Sequence, residues 1–334
     1  MNHNTPILGL GLESSCDETS AAVVKNGSEI LSHEIFSQVD LHSEYFGVVP
    51  EIASRAHLEV INGLIQKALD DAKISFSDLH YVAATQRPGL VGSLLIAVQS
   101  AKAISFVHKI PFIGVNHLEA HLYAPFLEEK NPAYPFVGLL VSGGNTAIYI
   151  VKAPNDYELI GKTVDDAVGE AYDKVSKFLN LGYPGGPHIE RIARTAKIKK
   201  QLFPKILADT GPHDTRFSYS GIKTAVVNYI RQNPDADTAE IVWSFQERAI
   251  EILARRVFTI ARRHNITTIV VAGGVAANGR LRKLLNDTKR DSENIIIPSP
   301  LLCTDNGAMV AGIGYRYYTL GIHNDLHTDV KARA

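Results

Sequence analysis

The sequence predicts an α/β protein built as two similar lobes, spans 1–130 and 131–334, each with a helical insertion and with a ligand cleft between them. Three observations lead there. An apolar strand, a small polar turn and a second apolar strand occur at 7–24 and again at 136–151. Each of these hairpins heads a run of alternating helical and strand periodicity. And 334 residues at 45% hydrophobic content are enough to bury two cores.

Composition narrows the partners. Lys plus Arg at 34 against Asp plus Glu at 35 leaves a formal charge of −1, so no global field draws nucleic acid, and RNA contact needs a local basic patch or a partner. Two cysteines, Cys16 and Cys303, are too few for a disulfide framework and suit a reducing compartment. The start Met1-Asn2-His3-Asn4-Thr5-Pro6 has no basic region followed by an apolar one, and no apolar run is expected to approach the ~18 residues that span a bilayer. The expectation is a cytoplasmic chain without a membrane anchor.

Ile7–Leu12 and Ser20–Val24 read as a hairpin around Glu13-Ser14-Ser15-Cys16-Asp17-Glu18-Thr19. Such a turn either cradles a phosphate with its amides or is a plain polar tip; Asp17 and Glu18 can hold a metal or orient a reacting group. Apolar positions from Val49 to Ala72 recur at helical spacing, and Tyr81–Thr85 is a strand. The turn Gln86–Ser93 then leads to a small-residue helix over about Leu94–Val107, a helix start that can bind an anion or simply join strand to helix.

Pro111–Val115 is a short buried strand, and His117–Leu127 a helix. His117 and His121, four residues apart, share one face of that helix and can reach one cation; two core or surface histidines are the plainer alternative. Glu119 falls on the opposite side. A zincin-type protease needs its Glu directly after the first His, so proteolysis is disfavoured.

Asn131, Pro132 and Pro135 mark a boundary. After the second hairpin, Thr163–Val175 reads as a helix whose first turn holds Asp165 and Asp166 as N-terminal carboxylates, with Asp173 inside it. Leu181–Pro187, with three glycines, allows a ligand close to backbone, and Glu190 lies one turn into the next helix. Arg248, Arg255 and Arg262 form a stripe at seven-residue intervals, ordinarily a solvated face and secondarily a phosphate contact. Thr268–Ala272 is a strand entering a Gly-Gly turn that suits a nucleotide, with Asn278 placed to hydrogen-bond. Asp305, in a loop before the last helix, can complete the two imidazoles as a facial metal set. The tail beyond Gly321 is polar.

Taken together, Glu13–Thr19, Asn116–His121, Val141–Gly144, Asp165–Lys174, Tyr183–Pro187, Phe217–Thr224, Ala272–Asn278 and Cys303–Met309 resemble the TsaD family of tRNA threonylcarbamoyladenosine transferases in content and order, over nearly the whole chain. The resemblance implies an actin/hexokinase/Hsp70-like (ASKHA) fold of two ribonuclease-H-like lobes. It implies one divalent metal per subunit, iron ahead of zinc, on His117, His121 and Asp305. It implies transfer of threonylcarbamoyl from threonylcarbamoyl-AMP to N6 of the adenosine adjacent to the anticodon, position 37, in tRNAs reading ANN codons, to form t6A. The adenylate site carried over comprises Leu140, Val141, Ser142, Gly143, Gly144, Asp173, Gly186, Glu190 and Asn278; the implied partners are tRNA, a TsaB-like paralogue and a TsaE-like ATPase. The chain departs from the family pattern at Asn145, where His is usual, and at Arg87, where Gly is usual. An ATPase or kinase of the same fold is the alternative.

Overall fold

The computed structural model describes residues 6–333 apart from 129, 208–210 and 212, so the N-terminal reading at 1–5 lies outside the described residues. The chain divides into two units, residues 1–131 with 304–334, and residues 132–303. Thr304–Ala334 therefore packs with the first unit, and the expected second span, 131–334, stops at Cys303. The reason is geometric: the last helix, Gly307–Thr319, lies on the first unit's sheet.

In the first unit, β1 (Leu8–Glu13), β2 (Glu18–Lys25) and β3 (Glu29–Ser37) form an antiparallel meander. A short helix α1 (Val39–Ser43) and α2 (Pro50–Ala72) follow. Proline at the first helical position suits φ there and removes an N–H that would have no partner. From α2, Ala53, His57, Ile61, Ile65 and Leu69 turn inward at four-residue spacing. The strand β4 (Tyr81–Arg87) pairs parallel with β1; α3 (Val91–His108) crosses over to β5 (Phe112–Asn116), parallel with β4; α4 (His117–Tyr123) leaves the end of that strand.

Contrary to the expectation of no such run, α3 is long and apolar enough by length and composition to cross a membrane. Its Ser93, Leu94, Ala97, Val98, Ala101 face is buried against β4 and α2. The open edge of β5 is covered by the tail: Asn324 N–H donates to Phe112 O at 2.8 Å and Gly114 N–H to Asn324 Oδ1 at 2.7 Å, which blunts an edge otherwise open to strand addition; farther on, Lys331 N–H donates to Gln86 O of β4 at 3.0 Å.

The second unit repeats the plan. β6 (Phe136–Val141), β7 (Thr146–Ala153) and β8 (Asp156–Lys162) make a meander, followed by α5 (Val168–Phe178), α6 (Gly185–Ala193), α7 (Ser220–Gln232) and α8 (Thr238–Arg263). Then β9 (Thr268–Ala272) pairs parallel with β6 and, after α9 (Gly279–Thr288), β10 (Asn294–Ile296) pairs parallel with β9. A short α10 (Pro300–Cys303) closes the unit, and α11 (Gly307–Thr319) belongs to the first. Among the described residues the sheet orders are β3-β2-β1-β4-β5 and β8-β7-β6-β9-β10, one topology used twice. The core of the second unit is α8, whose Ile241, Phe245, Ile252, Leu253 and Phe258 pack with Tyr172, Phe217 and Tyr219.

Candidate active site

The helix α4 begins where β5 ends because Asn116 caps it, its side-chain oxygen accepting from Leu118 N at 2.9 Å. That cap sets His117 in the first turn and His121 one turn on, with ring centroids 4.6 Å apart. Asp305 arrives from the other end of the chain, fixed by the neighbouring Asn306, which caps α11 through Met309 N at 2.9 Å. Its Oδ1 lies 3.0 Å from His121 Nε2 and 3.5 Å from His117 Nε2. One ligand atom from each residue falls within 4.8 Å of the others.

A fourth group, which the sequence did not single out for this role, completes the arrangement. Glu13 is fully buried at the end of β1. Its Oε2 accepts from Thr85 Oγ1 at 2.6 Å and faces His117 Nδ1 at 3.1 Å; its Oε1 accepts from Ser15 N at 2.6 Å. A buried carboxylate without partners costs several kcal/mol, so these bonds are a condition of its being there. With Nδ1–H given to Glu13, Nε2 of His117 is left as the donor atom on the Asp305 side, the carboxylate-histidine pattern of metal sites.

The field favours a cation. Burial works against a charged ring at His117, yet the carboxylates of Asp305 and Glu13 overcome it and hold its pKa at about 9. Burial likewise raises Asp305, but His117 and the hydrogen bond from His121 bring it to about 2. Two imidazoles, the buried Glu13 and the half-buried Asp305 suit a divalent ion. His121 Nδ1 is buried with no hydrogen-bond partner among the described residues, and a donor set of two nitrogens and one oxygen fits iron or zinc. Glu119 turns away as expected and binds Tyr317 Oη.

Beside this centre the turn 14–18 presents Asp17 and Glu18, both half-buried. Burial and the negative charges of Asp17 and Asp305 push the Glu18 carboxyl up to about 10, and Ser37 Oγ donates to it at 3.2 Å.

The residues expected to hold an adenylate all lie in the second unit and are mutually braced. Leu140 and Val141 end β6 fully buried, and the turn of half-buried Ser142 and exposed Gly143 and Gly144 closes by Ser142 N to Asn145 O at 2.8 Å and Asn145 N to Ser142 Oγ at 3.0 Å. Both bonds use Asn145 backbone atoms, so the departure from His there leaves the turn intact. Gly143 and Gly144 have open space beside them, while Gly273, at φ +93°, is held by contact: a Cβ would lie 2.4 Å from Val141 O. Asp173 accepts from Gly185 N at 2.7 Å, so it caps α6, and Gly186 follows with open space. Glu190 accepts from Gly279 N at 3.1 Å; Asn278 caps α9 through Leu281 N and donates to Gln246 Oε1 at 3.0 Å.

Two expectations fail. Asp165 and Asp166 precede α5, which starts at Val168. Asp165 instead accepts from Tyr219 N and from the Ser218 and Ser220 hydroxyls, fastening the start of α7, and Asp166 pairs with Lys174 and Lys223. The arginine stripe of α8 is not a free solvated face but is tied into the chain itself. Arg248 donates to Phe203 O, Arg255 to Ile206 O and Leu207 O, and Arg262 to both oxygens of Glu293.

Comparison with known proteins decides the family. The model for TsaD, tRNA N6-adenosine threonylcarbamoyltransferase, matches residues 29–312. Curated proteins of that name are similar along the whole chain: that of Dictyoglomus turgidum is 45% identical over 326 residues, covering 96% of both chains, and that of Desulfotalea psychrophila 46% over 333 residues, covering 97% of this chain and 96% of its own.

The chain belongs to the TsaD family.

Solved structures place that family's chain in the actin/hexokinase/Hsp70-like fold. HypF of T. kodakarensis superposes with a TM-score of 0.65 at 14% identity, over 96% of this chain and 50% of its own. Component A of the Acidaminococcus fermentans (R)-2-hydroxyglutaryl-CoA dehydratase does so with 0.56 at 15%, over 94% and 99%. In the TsaD chain the paired sheets of like order are that duplication.

Proposed function

We propose that this TsaD chain transfers the threonylcarbamoyl group of threonylcarbamoyl-AMP to N6 of the adenosine adjacent to the anticodon, position 37, in tRNAs reading ANN codons. The observation that carries the reading is the family match from end to end, within which His117, His121 and Asp305 converge. These three hold one divalent metal ion, iron ahead of zinc. Bound there, the ion supplies Lewis acidity against the charge that develops on the carbamoyl or phosphate oxygen.

The chain's own groups do the rest. Glu13 fixes the tautomer of His117. Glu18, whose carboxyl burial and the neighbouring Asp17 hold well above the ordinary range, orients the incoming amine by hydrogen bonding, and Asp17 accepts the amine's proton. The open glycines 143, 144 and 186 admit the AMP portion close to backbone, while Asp173, Glu190 and Asn278 hold α5, α6 and α9 in register beneath it. The implied partners are a TsaB-like paralogue and a TsaE-like ATPase, and the compartment is the cytoplasm, in keeping with two cysteines held as thiols.

Nucleoside mass spectrometry of tRNA from cells depleted of the protein tests this. Threonylcarbamoyladenosine is expected to disappear and to return with the wild-type gene but not with His117→Ala. Persistence in depleted cells with no second copy of the gene overturns the assignment.

A further inference from the structure

The turn that carries Asp17 and Glu18 is gripped residue by residue from different elements. Ser14 Oγ donates to Ser93 O at 2.6 Å; Leu90 N donates to Ser15 O at 2.9 Å; Gln38 N donates to Asp17 O at 3.0 Å. The carbonyl between the last two, that of Cys16, lies 3.0 Å from Nε2 of His57, a fully buried residue of α2 to which the site described above gives no role.

The chemistry of the neighbours fixes every hydrogen. A carbonyl only accepts, so Nε2 of His57 bears the proton and Nδ1 is the acceptor. Nδ1 faces two donors, Thr19 Oγ1 at 2.7 Å and Gln38 Nε2 at 3.2 Å. The same Gln38 amide reaches Ala53 O at 3.4 Å, and its oxygen faces His42 Nε2 at 3.2 Å, which leaves His42 Nδ1 to accept from Val49 N at 3.3 Å. One orientation of donors therefore runs from Val49 through His42, Gln38 and His57 to the Cys16 carbonyl. Thr19, Gln38, His42 and His57 are all fully buried.

Packing does not explain this cluster. Position 57 lies in a row with Ala53, Ile61 and Ile65, where an aliphatic side chain serves the core, and burying two imidazoles and an amide is unfavourable unless each polar atom is met. What the cluster supplies is direction: it aims one N–H at one carbonyl of the turn. We infer that His57 is a positioning residue for the transfer reaction, holding the Cys16 carbonyl so that the side chains of Asp17 and Glu18 are presented to the amine. This rests on the reading that Asp17 and Glu18 handle that amine. Displacing reacting groups by about 1 Å can cost on the order of 10²-fold in rate, so a remote anchor of this kind is visible in kinetics.

Two substitutions separate the inference from a merely structural role. In His57→Gln an amide N–H reaches the place of Nε2–H, whereas in His57→Asn the amide reaches only as far as Nδ1. Steady-state transfer from pre-formed threonylcarbamoyl-AMP to tRNA, with the partner proteins present, is expected to show kcat down about 10–100-fold in His57→Asn, with KM for tRNA and metal content as in wild type. His57→Gln is expected to keep most of the turnover. Full kcat in His57→Asn, equal losses in the two variants, or loss of metal from His57→Asn overturns the inference. Should His57→Asn not fold, Thr19→Val against Thr19→Ser takes its place: lowered kcat restored by Ser supports it, and wild-type kcat in both overturns it. Asp17→Asn and Glu18→Gln run alongside. Unchanged turnover in both removes the reading beneath; an impaired Asp17→Asn or Glu18→Gln beside an intact His57→Asn removes only the inference.

Discussion

Glu13 is the residue on which the proposed metal ligands depend without being one of them. Its carboxylate takes Nδ1–H of His117 and so determines which nitrogen faces Asp305; an amide there can still accept but carries no charge to favour the site's cation. Glu13→Gln is therefore expected to lower metal affinity about 10–100-fold, with turnover recovering when metal is added in excess, as a metal titration of the purified variant would reveal. Recovery separates it from His117→Ala, in which a ligand is gone and added metal does not restore transfer. The three proposed ligands, which the fold brings together, were legible in the sequence because two histidines four apart define a helix face, and Asp305 sits in a loop just before a helix. Glu13 was quoted only as the start of a polar turn. That its carboxyl points into the core is decided by Thr85 and Ser15, and period-2 alternation along a strand says nothing of a charge admitted by such partners.

Helices and their ends were legible to the extent that local signals fixed them. The spacing along Val49–Ala72 agreed with α2 because proline, apolar period and a left-handed Lys73 all act within the element. Asp165 and Asp166 misled because carboxylates favour a helix start in general, and only contact decides their partners: 218–220 for Asp165, Lys174 and Lys223 for Asp166. The arginines of α8 misled for the same reason: a stripe shows which face they share, not what lies on it. Arg262 shows the consequence. Its guanidinium donates to Glu293 at 2.7 and 2.9 Å, tying α8 to the segment before β10, and that hydrogen bonding holds the Glu293 carboxyl below its ordinary 4.5 despite burial. A depressed carboxylate stabilises the fold above its unfolded pKa and loses that contribution as pH falls through the folded value. Glu293→Gln is expected to cost about 1–2 kcal/mol at pH 7, between the values for exposed and buried pairs. The gap between variant and wild type should close as urea unfolding is repeated from pH 5 down to pH 3; a gap constant with pH would mean that the pair's charge contributes nothing.

At the scale of the molecule, the first unit is built from both ends of the chain, and its closure depends on the absence of side chains. Where β1 meets α11, a Cβ on Gly11 would stand 2.1 Å from Gly307 O and 2.4 Å from Ala311 N, and one on Gly307 would stand 2.6 Å from Gly11 O. Real Cβ atoms do not approach backbone so closely, and neither partner is the end of a flexible side chain. The helix can lie down on the strand only because both positions are glycine. Tyr81 Oη then donates to Ala311 O at 2.6 Å and Gly307 N to Ser20 Oγ at 2.8 Å, fixing the helix along its length. Asp305 stands two residues before that helix, so the proposed third metal ligand is placed by this contact together with the Asn306 cap. Gly11→Ala adds one methyl group, remote in kind from any reacting atom, yet it must push α11 off the sheet. Overpacking of this severity is expected to cost about 3 kcal/mol, roughly 6–12 °C in Tm for a unit of this size. Because Asp305 moves with the helix, metal stoichiometry should fall together with Tm. Calorimetry and metal analysis of Gly11→Ala check both. A variant that loses stability but keeps a full complement of metal would show Asp305 to be held by its loop, and the closure of the unit and the assembly of the metal site would then be separate events.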